Sequence, residues 1–279
     1  MPTEPAQLAG SQDRNPMKQL YGAVRLALAV CFILVAAATI LIAGLIPIRV
    51  HGAPFAAWAV SAVDRLILPL FGIRVSSPSP ELLRSHRGLI FPNHVSALDI
   101  PALFFFGPKR FLGAAEIEPR LLIGWMARRL GTVFVSRQDR QSRKLARVQV
   151  ANAHRTADRP PIVLFPEGRL GPGDGIFPFR RGGFEIAMEH GIPYLTVALR
   201  YDPVDVALWR AAREREEMWG SLWRLAQHTG TVHVEVIPLS IVHPKPDDDA
   251  QALAGAARRE IADALGLPFL EPADIGARP

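Results

Sequence analysis

An uncharged apolar run near the amino terminus constrains this chain more than any other feature. Leu26 to Ile48 reads LALAVCFILVAAATILIAGLIPI, 23 residues without a charged side chain. As an α-helix this run is about 34 Å long, enough to cross a hydrocarbon core of about 30 Å. It is longer than the apolar part of a signal peptide, and no small-residue cleavage site closes it. The run therefore predicts a membrane-anchoring helix.

A second apolar stretch, Ala57 to Ile73, carries charge in its middle, at Asp64 and Arg65. Charged side chains are costly at the centre of a bilayer, so we expect this stretch to lie at the interface or to enter one leaflet and return. Residues 20–74 are thus predicted to form a helical membrane hairpin that follows a polar tail at 1–19. A buried helical pair within a soluble protein is the alternative.

Positive residues flank both ends of the predicted hairpin. Arg49 alone lies between the two apolar stretches, whereas three positive residues precede the first and three follow the second: Arg14, Lys18, Arg25, Arg74, Arg84 and Arg87. Because Lys and Arg accumulate on the cytoplasmic side, we expect a domain at 75–279 on the cytoplasmic face of the inner membrane. The net charge of +6 indicates an anionic partner, and the apolar run favours an anionic membrane surface over nucleic acid.

From residue 75 onward, short apolar runs alternate with helical patterns. The strand-like runs are 88–91, 131–135, 161–165, 194–199 and 232–239. The helical patterns are 119–130, 141–154, 183–190, 204–227 and a last one that ends at Leu265. This alternation predicts an α/β fold with a sheet flanked by helices.

Chemically capable residues follow three of these strands. His94 and Asp99 follow the first, Arg137 follows the second, and Glu167 with Gly168 follows the third. Because open α/β sheets bind ligands at the carboxyl ends of their strands, we expect these residues to share a site. Each of them also has an ordinary structural reading, as a turn, a helix cap or a solvated arginine.

His94 and Asp99 are five residues apart, so their side chains would diverge on a regular helix. Pro101 is favourable only in the first turn of a helix, which predicts that a helix begins near Asp99. Residues 94–98 would then form a turn that folds His94 back toward the carboxylate. The alternative is that Asp99 only caps the helix.

The motifs around these residues resemble those of a known family. N-H-x-x-x-x-D begins at Asn93, G-x-x-F-V-x-R at Gly131, F-P-E-G at Phe165, F-R-x-G at Phe179 and I-P at Ile192. Their order and spacing resemble the glycerophospholipid acyltransferases of the bacterial 1-acylglycerol-3-phosphate acyltransferase type. The predicted hairpin is similar to that family's membrane anchor, and the predicted domain to its mixed α/β fold.

This resemblance implies transfer of a fatty acyl group from acyl-CoA or acyl carrier protein to a lysophospholipid hydroxyl, without a cofactor. His94 would be the general base, and Asp99 would hold its tautomer. Arg137 would bind the acceptor's phosphate. Glu167 would orient that arginine or accept from a glycerol hydroxyl, while the turn at Gly168 lets backbone N–H groups approach.

Arg169 and Arg180 are additional candidates for binding the phosphate. The sequence departs from the family where T-R-S commonly follows F-P-E-G: here Arg169 is followed by Leu170 and Gly171. It departs again at Ala114, where the family often has lysine. These departures leave the acceptor head group open, with 1-acyl-sn-glycerol-3-phosphate the first candidate and a lyso-ornithine lipid the second.

Two other classes of protein compete with this interpretation. A membrane-anchored esterase would need a nucleophile, yet no G-x-S-x-G elbow is present and Ser96 reads as a turn or capping hydroxyl. A non-catalytic lipid-binding protein would use His94 and Asp99 structurally. With one cysteine and no H-E-x-x-H spacing, the sequence predicts no metal site.

Overall fold

The computed structural model describes residues 16–46, 48–136, 139–210 and 216–271, apart from the side chains of residues 140 and 143. Within these ranges the helices are α1 (Pro16–Ala43), α2 (Phe55–Leu70), α3 (Pro80–Ser85), α4 (Asp99–Phe105), α5 (Leu121–Arg129), α6 (Arg140–Thr156), α7 (Gly182–His190), α8 (Val204–Ala207), α9 (Met218–Gln227) and α10 (Ala250–Leu265). The strands are β1 (Arg49–Val50), β2 (Ala53–Pro54), β3 (Ile73–Ser76), β4 (Leu89–Pro92), β5 (Arg110–Ala114), β6 (Val133–Val135), β7 (Ile162–Val163), β8 (Tyr194–Asp202) and β9 (Val232–Val242).

Seven of the described strands form one mixed sheet in the order β3-β9-β8-β4-β7-β5-β6. The strands from β8 to β6 in this order are parallel to their neighbours, whereas β9 is antiparallel to β8 and parallel to β3. The carboxyl ends of β4, β5, β6, β7 and β8 therefore lie at one edge. This sheet, flanked by helices, confirms the predicted fold class.

The central strand β4 contributes to a hydrophobic core on each face of the sheet. Ile90 belongs to one cluster with Leu103 of α4. Phe91 belongs to the other cluster with Phe184 of α7 and Ile261 of α10. Because successive side chains of a strand point to opposite faces, one short apolar run serves both cores.

Sequence reasoning missed two strands of the sheet, β3 and β5. In β5 the sequence RFLGA opens with a charged residue and contains a glycine, so it lacks the pattern of a buried strand. The predicted helix at 204–227 is also divided, into α8 and α9. Between them the backbone N–H of Trp209 donates to the carbonyl of Val95 at 2.9 Å, a tertiary bond that replaces a helical one.

The helix α1 is attached to the rest of the protein at both of its ends. Near its start, buried Arg25 donates to the carbonyls of Phe71, Ala226 and His228, which lie at the carboxyl ends of α2 and α9. Toward its end, Ile40 is buried in the same core as the inner face of α2 and α4. The cation thus satisfies helix-terminal carbonyls, an interaction that the helix dipole also favours.

Among the described residues, α1 is the one helix long and apolar enough to cross a membrane, with 28 residues and a mean hydropathy of 2.9 over its most apolar window. The shorter α2 packs against α1 and α4. Its Asp64 is buried within the protein, with 5% of its surface exposed. The expected boundary between residues 74 and 75 falls inside β3, and α2 is part of the packing of the domain.

Candidate active site

The turn after β4 brings His94 and Asp99 together. The Nδ1 atom of His94 lies 2.6 Å from Oδ2 of Asp99, the first residue of α4. Because a carboxylate only accepts hydrogen bonds, Nδ1 carries the proton and Nε2 is left with a lone pair. The predicted start of the helix and the predicted turn at 94–98 are both present.

Asp99 bonds to the turn before it rather than to the helix that it begins. Its Oδ2 also accepts the backbone N–H groups of Val95 at 2.9 Å and Ser96 at 3.1 Å. The residue at the cap position of α4 is Leu98, which provides no side-chain bond. The capping interpretation of Asp99 is therefore wrong, since the carboxylate fixes the shape of the turn that carries His94.

Tyr201 completes the coordination of this carboxylate, and sequence reasoning missed it. Its hydroxyl donates to Oδ1 of Asp99 at 2.5 Å from the end of β8. Burial, followed by the negative charge of Asp99, raises the pKa of Tyr201 well above its ordinary value, so the phenol keeps its proton and remains a donor. The predicted strand stopped at 199, which left Tyr201 outside the elements considered.

The imidazole of His94 is held on its face as well as at Nδ1. It stacks on the ring of Phe165, with 4.0 Å between ring centroids and 21° between the planes. Its side chain is 21% exposed, whereas that of Asp99 is fully buried. A base with one nitrogen fixed and part of its ring accessible is suited to accept a proton from a bound hydroxyl.

Glu167 braces the same turn from the end of β7. Its Oε1 accepts the backbone N–H of His94 at 2.9 Å and its Oε2 accepts that of Phe177 at 3.2 Å. Burial raises the pKa of Glu167 to about 8, an effect that the two N–H bonds oppose and the charge of Asp99 reinforces. Both oxygens accept from backbone donors, so Glu167 braces the turn, while its predicted roles of orienting Arg137 or accepting from a glycerol hydroxyl stay predictions.

The glycine after Glu167 allows an arginine to lie across the turn. Gly168 has a φ of +67°, and a Cβ there would lie 2.5 Å from Nε of Arg180. Arg180 is exposed beside this turn, and the guanidinium of Arg169 lies 3.7 Å from the centroid of the Phe177 ring. Arg137 lies outside the described residues, so its predicted phosphate contact stays a prediction.

An apolar cavity of about 150 Å³ is lined by Phe165, Phe91, Leu112 and Ile186. Two arginines, Arg147 and Arg180, also line it. Since Phe165 also stacks on His94, the cavity and the imidazole share a wall. The cavity thus combines apolar walls with arginines, and one wall residue, Phe165, also holds the imidazole.

Two further residues of the first motif hold the site together. Asn93 bridges to Leu199 of β8 through its amide, which donates at 3.1 Å and accepts at 2.7 Å. Ser96 is buried, donating its hydroxyl to the carbonyl of Ala207 at 2.6 Å and accepting from the N–H of Leu98 at 3.1 Å. A hydroxyl with these partners serves the turn, which argues against Ser96 as a nucleophile.

Comparison with known proteins identifies this arrangement. Residues 74–200 match the family model described as Acyltransferase. A 1-acyl-sn-glycerol-3-phosphate acyltransferase of Neisseria gonorrhoeae is 35% identical over 51% of this chain and 52% of its own length. The chain thus spans about half of the length of the Neisseria relatives that it matches.

Longer matches are found with two lyso-ornithine lipid O-acyltransferases. The protein of Pseudomonas aeruginosa is 30% identical over 70% of this chain and 72% of its own length. That of Rhodobacter capsulatus is 30% identical over 76% and 75% respectively. The crystal structure of the 1-acyl-sn-glycerophosphate acyltransferase PlsC from Thermotoga maritima has the same fold, with a TM-score of 0.64 and 19% identity over 90% of this chain and 94% of that chain. The chain therefore belongs to the glycerophospholipid acyltransferase family of the 1-acyl-sn-glycerol-3-phosphate acyltransferase type.

Proposed function

We propose that this protein is an O-acyltransferase that moves a fatty acyl group from a thioester to the free hydroxyl of a lysolipid. The observation that carries the proposal is the bond from Nδ1 of His94 to Asp99, which leaves Nε2 as a base. General-base catalysis of this kind contributes about 10²–10⁴-fold to a rate. The buried hydroxyl of Ser96 supports an acceptor that comes from the substrate rather than from the protein.

The reaction needs the proton to move twice. Nε2 of His94 takes the proton of the acceptor hydroxyl as its oxygen attacks the thioester carbonyl. The tetrahedral intermediate then collapses, its carbon–sulfur bond breaks, and the imidazolium returns the proton to the leaving thiolate. Asp99 stabilises the imidazolium between these steps, while Tyr201 and two backbone N–H groups hold the carboxylate in position.

The acceptor that we favour is 1-acyl-sn-glycerol-3-phosphate, which would give phosphatidic acid. Arg137, Arg169 and Arg180 are the candidates for its phosphate, since a guanidinium fork matches phosphate oxygens. The apolar cavity beside His94 would take acyl-chain carbons. A lyso-ornithine lipid is the second candidate, because the lyso-ornithine lipid O-acyltransferases match a larger share of this chain.

A panel of acceptors tests this proposal. Purified full-length protein is given a labelled acyl thioester, on coenzyme A or on acyl carrier protein, with lysophosphatidic acid, lyso-ornithine lipid, lysophosphatidylcholine or no acceptor. We expect labelled phosphatidic acid from one of the two donors, and product formation lowered by about 10²–10⁴-fold in His94→Ala. Steady loss of thioester without an acceptor would instead indicate a hydrolase, and no product with any acceptor would indicate a binding protein.

We also propose that the anchor enters one leaflet and that the domain lies on the cytoplasmic face of the inner membrane. Because both ends of α1 pack against the domain, the helix runs along the protein surface. Much of its other face is apolar and exposed, as at Leu28, Leu34, Leu41 and Ile42. An exposed apolar face on a helix that packs along the protein supports contact with the acyl chains of one leaflet.

Cysteine labelling tests this topology. In a Cys31→Ser background, cysteine replaces Gly10 in one variant and exposed Glu189 in another. A membrane-impermeant thiol reagent added outside intact cells is expected to label neither position, and to label both after the membrane is opened. Labelling of position 189 from outside would contradict the cytoplasmic placement.

A further inference from the structure

A cavity lined by positively charged side chains lies at the edge of the sheet opposite to His94. Lys109 immediately precedes β5 and Pro161 immediately precedes β7, so both are at the amino ends of parallel strands. The cavity holds about 80 Å³, and its lining includes four cationic side chains: Arg65, Arg84, Lys109 and Arg159. No aspartate or glutamate lines it within the described part of the chain.

Lys109 is buried there with few partners. It is 1% exposed, and the one acceptor recorded for its ammonium within the described residues is the carbonyl of Gly107, at 3.0 Å. An ammonium has three N–H donors, so two of them have no acceptor among the described residues. Burial, followed by the charges of Arg65, Arg159 and Arg84, lowers the pKa of Lys109 to about 7.

Arg159 lines the same cavity and, like Lys109, has a buried N–H group without an acceptor among the described residues. One of its terminal nitrogens donates to the carbonyl of Ser85 at 2.7 Å. Its Nε is buried and has no hydrogen-bond partner among the described residues. The neighbouring carboxylate of Asp158 is bound instead to Arg87, at 2.6 Å. A donor left without an acceptor in the interior is costly, which indicates that a ligand supplies the acceptor.

The remaining two arginines approach from helices α2 and α3. Nε of Arg65 donates to the carbonyl of Phe105 at 2.7 Å. Arg84 lies 3.7 Å from the carboxylate of Glu81, in a pair whose two side chains are largely exposed. Exposed pairs of this kind contribute little, so Arg84 remains able to bind another anion.

We infer that this cavity binds a phosphate group, either on the head group of an anionic lipid or free in solution. A volume of about 80 Å³ exceeds the roughly 10–15 Å³ that one water needs, so the cavity has room for a small group such as a phosphate. Arginine and lysine donors bind phosphate oxygens, and the carboxylate paired with Arg84, that of Glu81, is exposed and does not line the cavity. The site is separate from the catalytic edge, and the inference does not depend on acyl transfer.

The surroundings of the cavity make a lipid a reasonable source of the phosphate. Trp58 lines the cavity and donates its indole N–H to the carbonyl of Val50 at 2.8 Å. Leu66, next to Arg65 in the chain, is 71% exposed, and Phe55 at the start of α2 is 38% exposed. Tryptophan and apolar side chains beside cations are typical of surfaces that meet lipid head groups.

Thermal unfolding of the full-length chain in neutral detergent tests the inference. The midpoint is measured with sodium phosphate against sodium chloride at equal ionic strength, and with dihexanoylphosphatidylglycerol against dihexanoylphosphatidylcholine. A ligand that binds the folded state raises the midpoint with its concentration. We expect a saturable rise with a phosphate-bearing anion, and we expect the double variant Arg65→Gln/Arg84→Gln to abolish it.

The matched control removes the same charge elsewhere, in the double variant Arg74→Gln/Arg155→Gln, whose residues are also exposed. A rise with phosphatidylglycerol assigns the site to a lipid, and a rise with inorganic phosphate alone assigns it to a free anion. If Arg65→Gln/Arg84→Gln does not fold, Arg159→Gln gives the same comparison. A wild type that responds to neither anion, a response equal to that with phosphatidylcholine, or a cavity variant that responds like the control would overturn the inference.

Discussion

The two edges of the central sheet bury charge in opposite ways. At the carboxyl edge, Asp99 accepts four hydrogen bonds, from His94, Val95, Ser96 and Tyr201. At the amino edge, one described acceptor contacts the ammonium of Lys109. The first arrangement is complete without a ligand and therefore pre-organised, whereas the second leaves donors for a ligand to bind.

The two charges lie near opposite ends of the short helix α4. Asp99 is the first residue of α4, and Lys109 binds the carbonyl of Gly107, just beyond its end. Asp99 accepts N–H groups of the turn before α4, and Lys109 donates to a carbonyl of the turn after it, so each charge faces backbone groups of the matching polarity. The polarity of the nearby backbone groups explains the sign of each charge. The surrounding side chains determine whether all of its hydrogen bonds are made.

The largest effect expected at the carboxyl edge comes from His94→Ala. Loss of the base should lower kcat by about 10²–10⁴-fold while the protein still folds and binds membranes, since the side chain is partly exposed. Steady-state acyl transfer to lysophosphatidic acid and circular dichroism provide the two measurements. A rate within a few-fold of wild type would exclude His94 as the base.

Asp99→Asn separates the charge of this carboxylate from its shape. The amide oxygen can still accept from His94 and the turn, and the amide nitrogen can donate to the oxygen of Tyr201. The fold should therefore persist. Loss of the negative charge that stabilises the imidazolium should lower kcat by about 10²–10⁴-fold. The loss from His94→Ala is expected at the upper end of that range. Full activity in the acyl-transfer assay would show that Asp99 only shapes the turn.

Tyr201→Phe tests a residue that acts through Asp99. Removing the hydroxyl leaves Oδ1 of a buried carboxylate without its donor. The loss of one hydrogen bond to a charged group, about 1.5–3 kcal/mol, corresponds to roughly 10–100-fold in kcat if it loosens the catalytic geometry. The readout is a fall in kcat with an unchanged KM for the acceptor. If stability falls and kcat does not, the role of Tyr201 is structural alone.

Lys109→Met tests the amino edge of the sheet. Here the substitution is expected to stabilise the protein. Replacing an unsatisfied buried cation by an apolar side chain of similar length should raise the free energy of unfolding by about 1–4 kcal/mol in phosphate-free buffer. The pKa of Lys109 is lowered on folding from 10.5 to about 7, so wild type loses stability as the pH falls across that window.

The advantage of the variant should therefore grow from pH 10.5 down to about pH 7, as measured by denaturant unfolding at several pH values. Added phosphate should reduce the difference in the free energy of unfolding between the variant and wild type, because it stabilises wild type alone. A variant less stable than wild type across the whole range would show that the bond to Gly107 outweighs the cost of burial.

Most of the fold was predictable because it rests on local patterns. The runs that became β4, β6, β7, β8 and β9 are apolar and bounded by turn residues, and Pro101 marked the first turn of α4. β5 was missed because its buried position follows from its place between β7 and β6, which no local pattern reports. The count of flanking charges included Arg25 among the positive residues that precede the apolar run, whereas its guanidinium is buried against three helix-terminal carbonyls.

The sequence by itself determined the candidate residues and their order along the chain: the apolar run, the turn from His94 to Asp99 and the F-P-E-G turn. Only the tertiary structure decided that Tyr201 completes the hydrogen bonding of the Asp99 carboxylate, that Glu167 braces the backbone of His94, and that four cations line one cavity at the opposite edge. Spacing along the chain reports contacts within one turn or helix. Contacts between strands far apart in sequence, such as Asp99 with Tyr201, depend on strand order and register, which are set by the packing of the whole sheet.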